Sequence, residues 1–411
     1  MSRSLRLLAG TAIALAGLST AQAQAPRLSG LAQLWYTQML DNNLRLNSTS
    51  TTSPKYYNLR GEFQENTFAV RRVELKIDGK VTDEISYEAM IDPTITSGSI
   101  LQDAAIKYKL PFNAEIKVGQ FKNLQTLEGS TSSSELMLAE RSQLGRTFGD
   151  DRNRGGIVSL GFGDPKEFGA KFHMGVFNGS GKANDGNAQK DIVARLDMNV
   201  GLEHVFGVYT LQGSTSAKDT TGVASAPVPP AGWPTQAEIY DNKDKTSNLG
   251  VFYKFSNSEW HASFEAITGL LGRRFPNLGV TAVGRQHLDQ KFVGYVGTLG
   301  YTVANHTFVA RYDKMNYNQG DDWYTPYNPY TETAVGTPRL VNGAPVDYTP
   351  EFTEISLGYT YAFKPESVKA ANIKVNYVMR SKNFRVPRSA PTVQTGEQGG
   401  DSLIVALQVA F

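Results

Sequence analysis

The sequence predicts an all-β chain closed into a transmembrane antiparallel β-barrel. Three observations predict it. Segments of roughly ten residues alternate apolar and polar positions again and again, as strands do when one face meets lipid and the other water. The connections between them are tight in some places and long in others. The chain ends on an amphipathic segment, 401–411, whose apolar row Leu403, Val405, Leu407 and Val409 closes on Phe411.

The first residues read as an export segment. Arg3 and Arg6 precede an apolar run over 7–18, and Ala21-Gln22-Ala23 offers a small-x-small cleavage site. The run is too short for a spanning helix, which needs about 20 residues. Residues 1–23 are therefore expected to be removed, leaving 24–411 as the barrel domain. The chain has no cysteine, so it offers no lipoprotein anchor, thiolate nucleophile or cysteine metal ligand. Once Arg3 and Arg6 are removed, basic and acidic side chains are equal in number. Bulk charge then gives no case for a nucleic-acid partner. Any ion preference must come from where charges sit.

The strands follow in order. Segment 28–40 is apolar but lacks clean parity. In 73–78, Val73, Leu75 and Ile77 oppose Arg72, Glu74, Lys76 and Asp78. In 84–92, Ile85, Tyr87, Ala89 and Ile91 oppose Glu84, Ser86, Glu88, Met90 and Asp92. Ala104, Ile106, Tyr108 and Leu110 oppose Asp103, Ala105, Lys107 and Lys109. Pro111-Phe112-Asn113 makes a tight turn into Ala114, Ile116 and Val118, which oppose Glu115, Lys117 and Gly119. After a long irregular stretch, 123–154, come a weaker segment at 155–162 and the row Phe168, Ala170, Phe172, Met174 and Val176. Further strands are expected at 192–198, 205–211, 249–255, 260–266, 292–301 and 307–316. The rows Ile355 to Phe363, Ile373 to Met379 and Leu403 to Phe411 finish the set, which counts 16 strands.

Two other folds fit less well. Residues 292–310 carry no formal charge and are long enough for a spanning helix. They are rich in glycine, β-branched and aromatic residues, however, and Asn305-His306 interrupts them. A hairpin turning near Ala304-Asn305 is the better reading. A soluble β-protein would not need aromatic residues near strand ends or tight turns alternating with long connections (212–246 and 320–351 besides 123–154), which are the plan of membrane barrels.

Several segments carry a resemblance to a known family. They are FAVRRVELKIDGKV (68–81), KVGQFKN (117–123), TSSSELMLAERS (131–142), FVARYDKMNYN (308–318), IKVNYVMR (373–380) and DSLIVALQVAF (401–411). In order and spacing they resemble the phosphate-selective porin O and P family of bacterial outer-membrane porins. The resemblance implies a 16-stranded barrel, a homotrimer in the outer membrane, and a loop folded inward as a constriction. It implies passive diffusion of small hydrophilic solutes, with an anion or phosphate preference through lumen cations. No enzyme activity and no cofactor are expected.

A lumen discriminates by size and by its fixed charges. Arginine suits phosphate because its planar fork donates paired hydrogen bonds. Parity places Arg72, Lys76, Lys107, Lys109, Lys117, Arg311, Lys374 and Arg380 on polar faces, since Arg or Lys on the lipid face costs about 2–4 kcal/mol at midplane. Arg71 breaks parity, as at a rim or bulge. Stretch 123–154 adds Lys122 at its entrance, then Arg141, Arg146, Arg152 and Arg154, with a helical turn expected over 133–139. Glu128, Glu135, Glu140, Asp150 and Asp151 are interleaved. Lumen charges also pair across strands merely to solvate the interior, and the alternating signs of Arg72, Glu74, Lys76 and Asp78 fit that reading equally.

Two alternatives stand beside this one. A carbohydrate-type porin without anion preference would use aromatic residues such as those in 323–330. An outer-membrane hydrolase would need a nucleophile held by a histidine. His173, His204, His261, His287 and His306 sit in no recognisable catalytic or zinc motif.

Overall fold

The computed structural model describes residues 25–40, 67–96, 98–185, 189–215, 244–271, 290–317, 319, 340–341, 344–345, 351–364, 367–381 and 401–411. The expected export segment 1–23, the proline-rich stretch 220–234, the aromatic run 323–330 and His287 lie outside the described residues.

Sixteen described strands close one barrel. They begin with β1 (Arg27–Met39), β2 (Thr67–Lys80), β3 (Ile85–Ile91), β4 (Leu101–Leu110) and β5 (Ala114–Lys122). Next come β6 (Arg152–Asp164), β7 (Phe168–Phe177), β8 (Asp191–Val200), β9 (His204–Thr215), β10 (Asp244–Ser256) and β11 (Trp260–Leu271). The last are β12 (Gln290–Val303), β13 (His306–Asn316), β14 (Glu351–Ala362), β15 (Ala371–Arg380) and β16 (Ser402–Ala410). Each pairs antiparallel with its sequence neighbours, and β16 closes on β1 from Leu31↔Ala410 to Met39↔Ser402. A separate two-residue ladder joins Leu340–Val341 to Ala344–Pro345. Among the described residues no helix is long and apolar enough to cross a membrane. Strands make the crossing, and closure leaves no unpaired edge in lipid.

Outside and inside are inverted relative to a soluble fold. Leu28, Phe68, Ile106, Val118, Phe168, Met174, Leu249, Phe264, Leu357 and Val409 are exposed, while Gln33, Arg72, Glu88, Arg195, Glu265, Arg311, Glu354, Lys374 and Gln408 are buried. An exposed apolar band over a polar interior is stable only against lipid.

One end of the barrel carries the short connections. At 111–113 the backbone turns through Phe112 (φ 62°) and Asn113 (φ 55°). At 304–305 it turns through Ala304 (φ 49°), the position the sequence predicts for a hairpin. The long connections 123–151, 216–243 and 317–350 leave from the other end. Strands β9 and β10 continue past positions 212 and 246, so the connection between them is shorter than the sequence suggests.

The irregular parity near Arg71 is a β-bulge. Gln33 pairs with Arg72 and Leu34 with Val70, so Arg71 is the extra residue. A bulge locally disrupts the alternation of side chains, and here Arg71 and Arg72 both reach Glu140 in the lumen. The poor parity of β1 has a different cause. Its inward row carries Leu31, Trp35 and Met39 as well as Gln33 and Thr37.

Large apolar side chains also enter the lumen from β9 to β14. Tyr209, Phe252, Ile267, Phe292, Val296, Met315 and Phe352 form one buried cluster with Leu144 and Tyr317. These side chains break the rule of polar interiors because connection 123–151 folds onto them and excludes water. It contains helix α1 (Leu127–Ser130), a 3₁₀ turn at Ser133–Glu135 and helix α2 (Gln143–Phe148). The helical turn expected over 133–139 is therefore shorter, and two more helices flank it. The connection also ends at Asp151. Arg152 and Arg154 begin β6 rather than lying in the loop, and they share the parity of outward-facing Val158.

Candidate functional site

The loop enters the lumen through a strained turn. Leu124 (φ 60°) and Thr126 (φ 54°) are both left-handed without being glycine, a conformation that needs support from its surroundings. Arg195 of β8 supplies it, donating to the carbonyls of Leu124 and Thr126 at 3.2 Å each and to Ser130 Oγ at 2.8 Å. Glu265 Oε1 accepts the Leu127 N–H at 2.7 Å. Asp313 of β13 accepts the Gln143 N–H at the start of α2. Each helix also starts on its own cap: Thr126 Oγ1 accepts from Gly129 N, and Ser142 Oγ from Gly145 N.

Charge then fixes the loop across the lumen. Arg311 Nη2 lies 2.7 Å from Glu354 Oε1, its Nη1 lies 3.3 Å from Glu128 Oε1, and it donates to the Glu140 carbonyl at 2.8 Å. Arg380 Nε is 2.9 Å from Glu354 Oε2, and Arg146 Nη2 is 3.6 Å from the same oxygen. Arg71 pairs with Glu140, and Arg72 donates to Ser133 Oγ. Arg141, fully buried, reaches Asp150 at 3.2 Å and donates to the Glu128 and Thr131 carbonyls. Lys122 meets Asp150 at 3.0 Å and the Gly129 carbonyl at 2.8 Å. Lys374 donates to the carbonyls of Leu136 and Leu138.

Two loop carboxylates record this surrounding charge. Burial alone would raise Glu140, but Arg71, Arg72 and Arg146 reverse that and hold it at about 2. Burial would likewise raise Asp150, yet Arg141 and Lys122 hold it well below the usual carboxylate range.

Shape completes the docking. A Cβ on Gly300 of β12 would overlap Met137 Cε, and one on Gly358 of β14 would overlap Leu138 Cδ2. These glycines are notches in the wall that receive loop side chains. Phe148 stacks on Phe292 with ring centroids 4.5 Å apart.

A second basic group lies apart from the loop anchors, toward the short turns. Lys76, Lys107 and Lys117 converge on Glu88 at 3.0, 3.1 and 2.5 Å. Their side chains remain 35%, 30% and 21% exposed. Lys109 sits one inward position nearer the turn, opposite Glu115, and is exposed.

The structure thus divides the cations picked from sequence. Arg72, Lys122, Arg141, Arg146, Arg311 and Lys374 converge on the loop, and Arg380 is joined to it through Glu354. Lys76, Lys107, Lys109 and Lys117 face the lumen elsewhere. Arg152 contacts Asp103 at 3.2 Å, and Arg154 contacts Gln120 and Asn184. Glu354, Asp313, Glu265 and Arg195 also anchor the loop, and sequence reasoning missed them. Their inward parity is legible in the alternation, but the loop groups they meet are not neighbours in the chain.

Ser159 Oγ lies 2.7 Å from His173 Nδ1, and His173 Nε2 lies 3.8 Å from Asp197 Oδ2. Asp197 is closer to Arg195, at 2.8 Å. The group is a cross-strand polar row that orients Arg195, and Arg195 in turn holds the loop entrance. Among the described residues no cluster of His, Cys, Asp and Glu could hold a metal ion.

The family model for phosphate-selective porin O and P matches residues 54–324. No curated protein matches the chain in sequence. Several solved structures share its fold. An anion-selective porin from Comamonas acidovorans is 12% identical with a TM-score of 0.52, over 94% of this chain and 99% of that one. OmpT of Vibrio cholerae, in its trimer form, is 12% identical with a TM-score of 0.51, over 94% and 99%. OprB of Pseudomonas putida is 10% identical with a TM-score of 0.51, over 98% and 97%.

Proposed function

Because the chain belongs to the phosphate-selective porin O and P family, we propose that this outer-membrane porin passes small hydrophilic solutes by diffusion and prefers anions through its lumen lysines. The observation that carries the preference is the convergence of Lys76, Lys107 and Lys117 on the single carboxylate of Glu88. One carboxylate against three ammoniums leaves net positive charge, and the partial exposure of those ammoniums leaves it available to a passing ion. The arginines under the loop are buried against carboxylates and carbonyls, which suits them to holding the constriction in place. Fixed cations in a narrow lumen attract anions electrostatically. Removal of residues 1–23 on export and assembly as a homotrimer belong to the same proposal. The trimer form of the Vibrio cholerae relative supports the latter.

Reversal potentials in asymmetric KCl across planar bilayers test it. The wild-type channel is expected to favour chloride, and added phosphate to reduce the chloride current. In the triple variant Lys76→Gln, Lys107→Gln, Lys117→Gln, Glu88 is left uncompensated and the preference should move toward potassium. Cation preference in the wild type would sink the anion reading.

A further inference from the structure

A cavity of about 540 Å³ lies between the loop and the wall formed by β10 to β15. That volume is within the range of pockets that bind small organic molecules. On the loop side Leu136, Met137 and Leu138 give an apolar stretch beside Glu128, Thr131, Ser134 and Glu135. The wall contributes hydroxyls from Thr298, Thr302, Thr307 and Thr360, with Thr302 and Thr307 hydrogen-bonded at 2.9 Å.

The charges around the cavity are unequally occupied. Glu135 is paired with Lys369 at 2.9 Å. Glu128 accepts from Ser142 N at 2.6 Å and lies 3.3 Å from Arg311. The Lys374 ammonium donates to loop carbonyls. Lys254 lines the same cavity from β10, is exposed, and has no carboxylate within salt-bridge distance among the described residues. An open ammonium beside an apolar surface and a row of hydroxyls matches an anion with an apolar body.

We propose that this cavity binds small organic carboxylates with an apolar body, such as aromatic monocarboxylates, and that Lys254 holds the carboxylate. The proposal rests on the anion-preferring channel reading and names a solute class for it. The apolar side favours such a solute over inorganic phosphate, which would have to leave its hydration shell against Leu136 and Met137.

Block of the chloride current through the full-length mature channel tests the site, with benzoate, benzyl alcohol and inorganic phosphate as probes. In the wild type benzoate should block at a concentration about tenfold below that of benzyl alcohol, as expected for one charge-assisted contact. Phosphate should block more weakly than benzoate. Lys254→Gln should abolish the difference between benzoate and benzyl alcohol, and Lys254→Arg should retain it. Equal block by these two probes in the wild type, or benzoate block unchanged in Lys254→Gln, would overturn the site while leaving the reversal potential anion-selective. A cation-selective reversal potential in the wild type would instead overturn the channel reading on which the site rests.

Discussion

Glu354 shows how much one side chain can carry. It is buried on β14, with Arg311 at 2.7 Å, Arg380 at 2.9 Å and Arg146 at 3.6 Å. Removing one partner from a buried ionic group leaves the others uncompensated, at a cost of about 3–5 kcal/mol. Glu354→Gln should therefore loosen the loop, seen as larger and noisier single-channel conductance. Conductance identical to wild type would refute this role. The residue's inward parity is readable in the alternation of 355–363. Its partners are not, because Arg380 meets it only in the register of β14 with β15, and Arg146 only after the loop folds into the lumen.

At the scale of the element, the loop is held by charge, apolar contact and notches together. The charge component has a defined pH window. Glu140 is depressed to about 2 in the docked loop. A carboxylate depressed by docking contributes its full stabilisation above its ordinary value and loses it as pH falls through the docked value. The loop should stay docked from neutral pH to about pH 4 and release as pH approaches about 2. Single-channel recordings across that range check this, and opening steps that begin at about pH 6 would contradict the assignment. Helix α2 leaves no mark in the sequence pattern, because six residues are too few for a helical period to emerge. Its stability comes from Leu144 in the lumen cluster and from the Ser142 cap.

For the whole molecule, closure between β1 and β16 decides whether a barrel exists. Gly30 and Phe411 exchange two backbone hydrogen bonds, at 2.8 and 3.0 Å. The Phe411 ring covers Gly30 so closely that a Cβ there would overlap its Cζ. Gly30→Val should displace the ring and lower the yield of folded barrel, measured by heat-modifiable migration in gels. Unchanged yield would show that the contact is dispensable.

The strand count, the alternation, the hairpin at Ala304-Asn305 and the inward side of most cations are all readable along the chain, because a two-residue period and turn chemistry are local properties. Which cations anchor the loop and which remain partly exposed in the lumen follows from the folded arrangement alone. That division depends on contacts such as Arg311 with Glu128 and Lys117 with Glu88, which join side chains that are not neighbours along the chain and meet only when strands pair and the loop folds inward.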